Sequence, residues 1–120
     1  MWNVFFCSRD KNITTIHCDE CLVVIKVANY LLFNVYFPCS GTTSRSIICE
    51  NLLSDIEMWR DRYGDCECVF AGDLNCDFDG SDAVSLMVQN FIHDGSFTRC
   101  DNICDLCCFL CLIYRPYTMF

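Results

Sequence analysis

Asp73, Asn75, Asp77 and Asp79 stand at alternating positions in VFAGDLNCDFDG, residues 69–80, at the end of a short apolar run. A carboxylate can take a proton or bind a hard cation, and an amide can donate to a phosphate or a developing oxyanion. Such groups alternating in one glycine-bounded loop suggest divalent-cation chemistry. An EF-hand frame starting at Asn75 puts Gly80 at the glycine position but fails elsewhere. Asn75 stands where aspartate belongs, Leu86 replaces the bidentate glutamate, and an apolar strand precedes the loop in place of a helix. Asp, Asn and Gly are also ordinary turn residues, which accounts for DFDGSD without any ligand. It accounts less well for Gly72-Asp73-Leu74-Asn75. There an acid and an amide leave the carboxyl end of a hydrophobic strand on the same side, and ligands of layered α/β folds gather at such strand ends.

The elements that must position these groups alternate in type. ITTIH (13–17) is β-branched and reads as a strand, broken by CDE (18–20). Leu22 to Val27 and Tyr30 to Phe37 read as the strands of a hairpin joined by Ala28-Asn29. The second of them, YLLFNVYF, is almost continuously apolar, as expected of a strand covered on both faces, and Pro38 ends it. After the loop CSGTTSRS (39–46) the period changes. Ile48, Leu52, Ile56 and Trp59 recur at helical spacing, with Ile47 and Leu53 widening the stripe and Gly64 at the expected stop. CVFAGD is a short strand. Ser81 or Asp82 can cap a second helix whose inner face holds Val84, Met87, Val88, Phe91 and Ile92, with Gly95 ending it. Strands alternating with amphipathic helices predict mixed α/β layers.

The 120 residues fit one domain, and a hydrophobic content of 53% supplies a core. The net charge of −8 argues against a simple nucleic-acid wrapper, although a bound cation can supply positive charge locally. The N-terminus MWNVFFCSRD lacks the pattern of a secretory signal, so the expected location is intracellular, nuclear or cytoplasmic. The 13 cysteines are then expected as free thiols that behave as small hydrophobes. Cys18-x₂-Cys21, beside His17, with Cys104-x₂-Cys107 and Cys108-x₂-Cys111, offers zinc-ligand spacing as an alternative. A long stretch of chain separates the first pair from the others, and so many cysteines generate such spacings easily. Leu106 to Tyr114 is too short to span a bilayer, which takes about 20 apolar residues, and reads as a buried strand or a sticky tail.

Ala71-Gly72-Asp73-Leu74-Asn75 resembles the G-D-[LF]-N motif of the endonuclease/exonuclease/phosphatase superfamily. Asn34-Val35-Tyr36-Phe37-Pro38 resembles that superfamily's strand ending in a Tyr-x-Pro element, and the loop and amphipathic helix between the two motifs match its spacing. Asp77 to Asp82 followed by VSLMVQNFIHD looks closest to the endonuclease part of LINE-type retrotransposon reverse-transcriptase proteins. RDKNITTIH (9–17) fits the strand that commonly comes before. The resemblance covers about residues 9–102 and divides the chain into a partial domain over 1–102 and an unrelated Cys-rich apolar tail over 103–120.

What it implies is a partial four-layer α/β sandwich, with a mixed sheet and amphipathic helices, that hydrolyses phosphodiester bonds of DNA with Mg²⁺. By analogy Asp73 would orient or deprotonate the attacking water. Asn75 would donate to the phosphate, and Tyr36 would act near the phosphate or its leaving oxygen. The sequence departs from the family in several places. Cys39 stands where members carry asparagine, Glu20 is the only glutamate before Tyr36, and neither His17 nor His93 sits in a Ser-Asp-His strand. The expectation is the middle of such a domain, inefficient as a nuclease on its own. Half a sandwich would also expose sheet edges and an apolar face, through which it could self-associate.

Overall fold

The computed structural model describes residues 13–98 throughout and the backbone of Arg99 and of Phe109–Tyr114. Three strands open the described chain: β1 (Ile13–Cys18), β2 (Leu22–Val27) and β3 (Tyr30–Tyr36). β2 and β3 form the expected hairpin, Val27 pairing with Tyr30 across Ala28-Asn29. A turn this short forces Ala28 into the left-handed region at φ 50, a conformation that costs a residue with a Cβ about 1–2 kcal/mol. The Asn29 carbonyl accepts from the Glu67 amide at 3.0 Å, tying the turn to the strand that follows the first helix. β1 pairs antiparallel with β2, its register shifting between Thr15 and His17, a bulge of the kind that blunts edge strands.

β3 and β4 (Glu67–Asp73) are parallel, and parallel neighbours need a long crossover. α1 (Arg45–Arg62) supplies it. After β4 come α2 (Ala83–Asp94), β5 (Thr98–Arg99) and β6 (Phe109–Tyr114). β6 pairs antiparallel with both β4 and β5, and the described sheet has the order β1-β2-β3-β4-β6-β5. Part of the apolar C-terminal run is thus a strand of the sheet by its backbone pairing. Residues 103–108 and 115–120 of the expected tail lie outside the described residues, as do 9–12 at the other end.

Both helices pack on one face of the sheet. Leu22, Val24, Leu31, Phe33, Val35, Phe37, Cys68 and Phe70 form one cluster with Cys49, Leu52, Leu53 and Ile56 of α1 and Val84, Val88 and Phe91 of α2. Burying each such aliphatic or aromatic side chain contributes about 1.5–3 kcal/mol. No described helix lies on the opposite face, where Leu32, Val69 and Ala71 are half-buried while Val23 and Ile25 are buried outside that cluster. β3 therefore alternates between buried and half-buried positions, with Tyr30 46% exposed, and is not equally covered on its two faces as its apolar run predicts.

α1 differs from expectation in phase. It starts at Arg45, turns Cys49 inward and leaves Ile47 61% exposed. It also ends at Arg62 with Tyr63 as its cap, so Gly64 lies just beyond the stop. In α2 the expectation holds: Asp82 is the cap, its carboxylate accepting from the Ser85 amide at 2.8 Å. Cys18, Cys21, Cys39, Cys49, Cys66, Cys68 and Cys76 are free thiols, four of them buried. Burial pushes the Cys68 thiol up to about 11 and raises those of Cys21 and Cys49. Among the described residues no helix is long and apolar enough to cross a membrane. The chain is a small mixed α/β domain.

Candidate functional site at the ends of the parallel strands

The parallel register sets Tyr36 of β3 beside Asp73 of β4, and the Phe37 amide donates to the Asp73 carbonyl at 2.9 Å. One position earlier Gly72 faces Val35 so closely that a Cβ there would lie 2.0 Å from the Val35 carbonyl oxygen. No side chain fits, which is why glycine precedes Asp73. Beyond β4 the alternation continues into the loop. Leu74, Cys76 and Phe78 point into the core, 0%, 8% and 5% exposed. Asp73 and Asn75 are half-buried between them, while Asp77 and Asp79 are exposed.

Asn75 adopts the left-handed conformation at φ 47, which asparagine tolerates better than most residues. Its amide donates to Asp73 Oδ1 at 3.1 Å, and its side-chain Nδ2 donates to the Phe37 carbonyl at 2.7 Å. Arg45, the first residue of α1, donates from Nε to the Pro38 carbonyl at 2.8 Å and from Nη2 to the Asn75 carbonyl at 2.6 Å. The loops leaving β3 and β4 are thereby laced together. Further along, Asp77 Oδ1 accepts from the Asp79 amide and the Asp77 carbonyl from the Gly80 amide, each at 3.0 Å. Asp77, Asp79 and Asp82 are thus engaged in a turn and a helix cap, as the ligand-free reading of DFDGSD has it. The hydrogen bond from the Ser85 amide lowers the pKa of the Asp82 carboxyl, with a smaller contribution from Arg45.

Tyr36, Asp73 and Asn75 are therefore neighbours at the carboxyl ends of adjacent parallel strands, the place where open α/β sheets bind ligands. Tyr36 and Asp73 alternate with the core residues Val35, Phe37 and Leu74 and so face the side without a described helix. An open cleft of about 510 Å³ is lined by Ser40, Arg45, Asn75, Asp77 and Asp82 among others, so that of the three only Asn75 borders it. Arg45 contributes a guanidinium to that lining and Asp77 and Asp82 contribute carboxylates.

The remaining candidates sit apart. Glu20 is at the same end of the sheet but lines a groove against Ile48, Leu52 and Asp55 of α1. His17 bonds Asp19 at 2.7 Å and rests near the Trp59 ring; His93 is 90% exposed beside Asp94 at a helix end, as expected. Burial alone would raise the pKa of the Asp19 carboxyl, but hydrogen bonds from the Cys21 amide, His17 and the Leu22 amide outweigh it and lower it. Arg45 escapes sequence reasoning altogether, because its partners are backbone carbonyls of loops whose approach no local pattern announces.

Among the described residues no three His, Cys, Asp or Glu side chains converge on a point that could hold a metal ion. Magnesium is usually held by one or two carboxylates together with substrate phosphates and waters. Asp73 is the one carboxylate that the strand-end trio could offer to such an ion. Cys18 and Cys21 likewise gather no third ligand among the described residues, and the C-terminal Cys-x₂-Cys pairs lie outside them. No family model matches the sequence, and no curated protein matches it.

Proposed function

We propose that the chain carries the central part of an endonuclease/exonuclease/phosphatase-type domain, related to the DNA endonucleases of LINE-type retrotransposons, and that it is not an efficient nuclease alone. The observation that carries this reading is the meeting of Tyr36, Asp73 and Asn75 at the ends of two parallel strands, although their motifs lie far apart in sequence.

The donor inventory fits the roles assigned by resemblance. One Asp73 carboxylate oxygen is engaged by the Asn75 amide, which among the described residues leaves the other to orient or deprotonate water. One N–H of the Asn75 side chain holds the Phe37 carbonyl, and among the described residues its second N–H remains for a phosphate oxygen. The Tyr36 phenol stands beside them in register. A phosphodiesterase of this type needs Mg²⁺ to neutralise the phosphate, and the only glutamate before Tyr36, Glu20, lies apart from this trio in a groove against α1. Catalytic groups that work as a unit leave little rate when members are missing.

Nicking of supercoiled plasmid, with and without Mg²⁺, tests the activity half of the proposal. Folded wild type and Asp73→Ala should both stay at background. Metal-dependent nicking by wild type that Asp73→Ala abolishes would keep the family reading and overturn the claim of inactivity. Nicking unaffected by Asp73→Ala would remove the strand-end site from consideration. The ancestry half has a test independent of activity. The gene on either side of residues 9–102, translated in all frames, should encode the upstream acidic strand and the downstream Ser-Asp-His strand. If neither is there, the family reading fails.

A second reading has its own observation. The half-buried Leu32, Val69 and Ala71 on the face without a described helix suit a non-catalytic piece that self-associates. Size-exclusion chromatography decides it, since a clean monomer at high concentration removes this reading.

A further inference from the structure

We infer that Arg45 is the positioning residue of the strand-end site: its guanidinium fork fixes Asn75 in the left-handed conformation and sets the approach of the two loops that leave β3 and β4 just after Tyr36 and Asp73. The inference rests on the proposed function only for the importance of that site; the geometry stands without it.

Nε and Nη2 lie on one edge of a planar fork and donate in the same direction. Here they reach the Pro38 carbonyl at 2.8 Å and the Asn75 carbonyl at 2.6 Å, one from each loop. The Asn75 side chain closes the circuit by donating to the carbonyl of Phe37, next to Pro38, at 2.7 Å. The fork is anchored on a rigid element, since α1 is pinned to the sheet by Cys49, Leu52, Leu53 and Ile56. Asn75 at φ 47 is not in a conformation that it holds by default, and its carbonyl direction is set by that φ. A lysine at 45 would be a single point charge that cannot span both carbonyls. It would leave one of them, part-buried, without its donor.

The test is NMR spectroscopy of Arg45→Lys against wild type. The Asn75 Cα and Cβ shifts should leave the left-handed range, and the shifted Asn75 side-chain amide pair should collapse toward free values. Exchange of the Asn75 backbone amide should accelerate about tenfold or more, the equivalent of one hydrogen bond to a charged group. The amides of β2 and β3 should not move. Unchanged Asn75 shifts in the folded variant would overturn the inference. Should Arg45→Lys unfold, the same substitution in an Asn75→Gly background decides. Glycine takes the left-handed conformation at no steric cost, so folding should return if Arg45 acts by holding Asn75. Equal unfolding in both backgrounds would mean that Arg45 supports the fold at large, and the inference fails. Neither readout depends on nuclease activity.

Discussion

Gly72→Ala should be among the most damaging single-methyl additions in this chain. The new Cβ would lie 2.0 Å from the Val35 carbonyl oxygen, 2.8 Å from its carbonyl carbon and 2.9 Å from its nitrogen. All three are backbone atoms of the neighbouring strand, so no rotamer change relieves the contact. β3 and β4 must separate at the position before Tyr36 and Asp73, weakening the parallel pairing on which the site depends. Forced insertion into packed structure costs typically 1–3 kcal/mol and more where backbone must move, so about 3 kcal/mol or more is expected. For a domain of this size that lowers the melting temperature by about 10 °C or more. Gly64→Ala is the control, because a Cβ there meets only the Asp61 carbonyl oxygen at 3.6 Å, an ordinary contact. Urea titration followed by circular dichroism gives both values, the midpoint falling for Gly72→Ala at constant slope. If Gly72→Ala melts within about 0.5 kcal/mol of wild type, surface-substitution range, the close packing of β3 on β4 is wrong and the account of the site with it.

Four other outcomes follow from the geometry. Ala28→Gly should stabilise the protein by about 0.5–1 kcal/mol in the same titration, since it removes a left-handed alanine from the hairpin at the entropic cost of a glycine. The pKa of Asp19 lies below its unfolded value, so its contribution is present above the unfolded pKa and is lost as pH falls through the folded one; Asp19→Asn should flatten the acid limb of a stability–pH curve. Cys68 works in the opposite direction. The unfolded thiol ionises near 9.0 and the folded one near 11, so stability should fall as pH rises across that interval, and Cys68→Ala should reduce this alkaline loss, to which the raised thiols of Cys21 and Cys49 also contribute. Alkylation with iodoacetamide in native buffer should reach the exposed Cys18 and Cys39 well before the buried Cys49, Cys66, Cys68 and Cys76, an order that mass spectrometry of digests reads and that urea should erase.

What the sequence revealed is what local rules govern. The hairpin at Ala28-Asn29, the cap at Asp82 and the inward face of α2 are set by turn length, capping chemistry and helical period, all readable within a few residues. The phase of α1 was harder, because Cys49 competes with Ile47 for the inner face and sequence ranks isoleucine higher. The sheet chose the smaller thiol, leaving Ile47 exposed. Long-range facts were out of reach. Nothing near Phe109 says that its strand inserts between β4 and β5, and nothing near Arg45 says that two carbonyls wait for it. The candidate trio was legible through Gly72-Asp73-Leu74-Asn75 and Tyr36-Phe37-Pro38 as motifs, but its hydrogen bonding was not. The partner of the Asn75 side-chain Nδ2 is a backbone oxygen, and backbone oxygens carry no sequence signature.

The place of β6 in the sheet also has a consequence on the ribosome. β4 is complete at Asp73, yet the strand that covers its outer edge begins only at Phe109. At synthesis rates of about 5–20 residues per second, β4 waits roughly 2–7 seconds with a row of unpaired amides and carbonyls on display. During that interval the nascent chain holds the hairpin and α1 and adds α2, but offers other growing chains an open template. Slowing elongation past Gly95 should therefore raise the fraction lost to aggregation, and release of β6 from the exit tunnel should end the exposure.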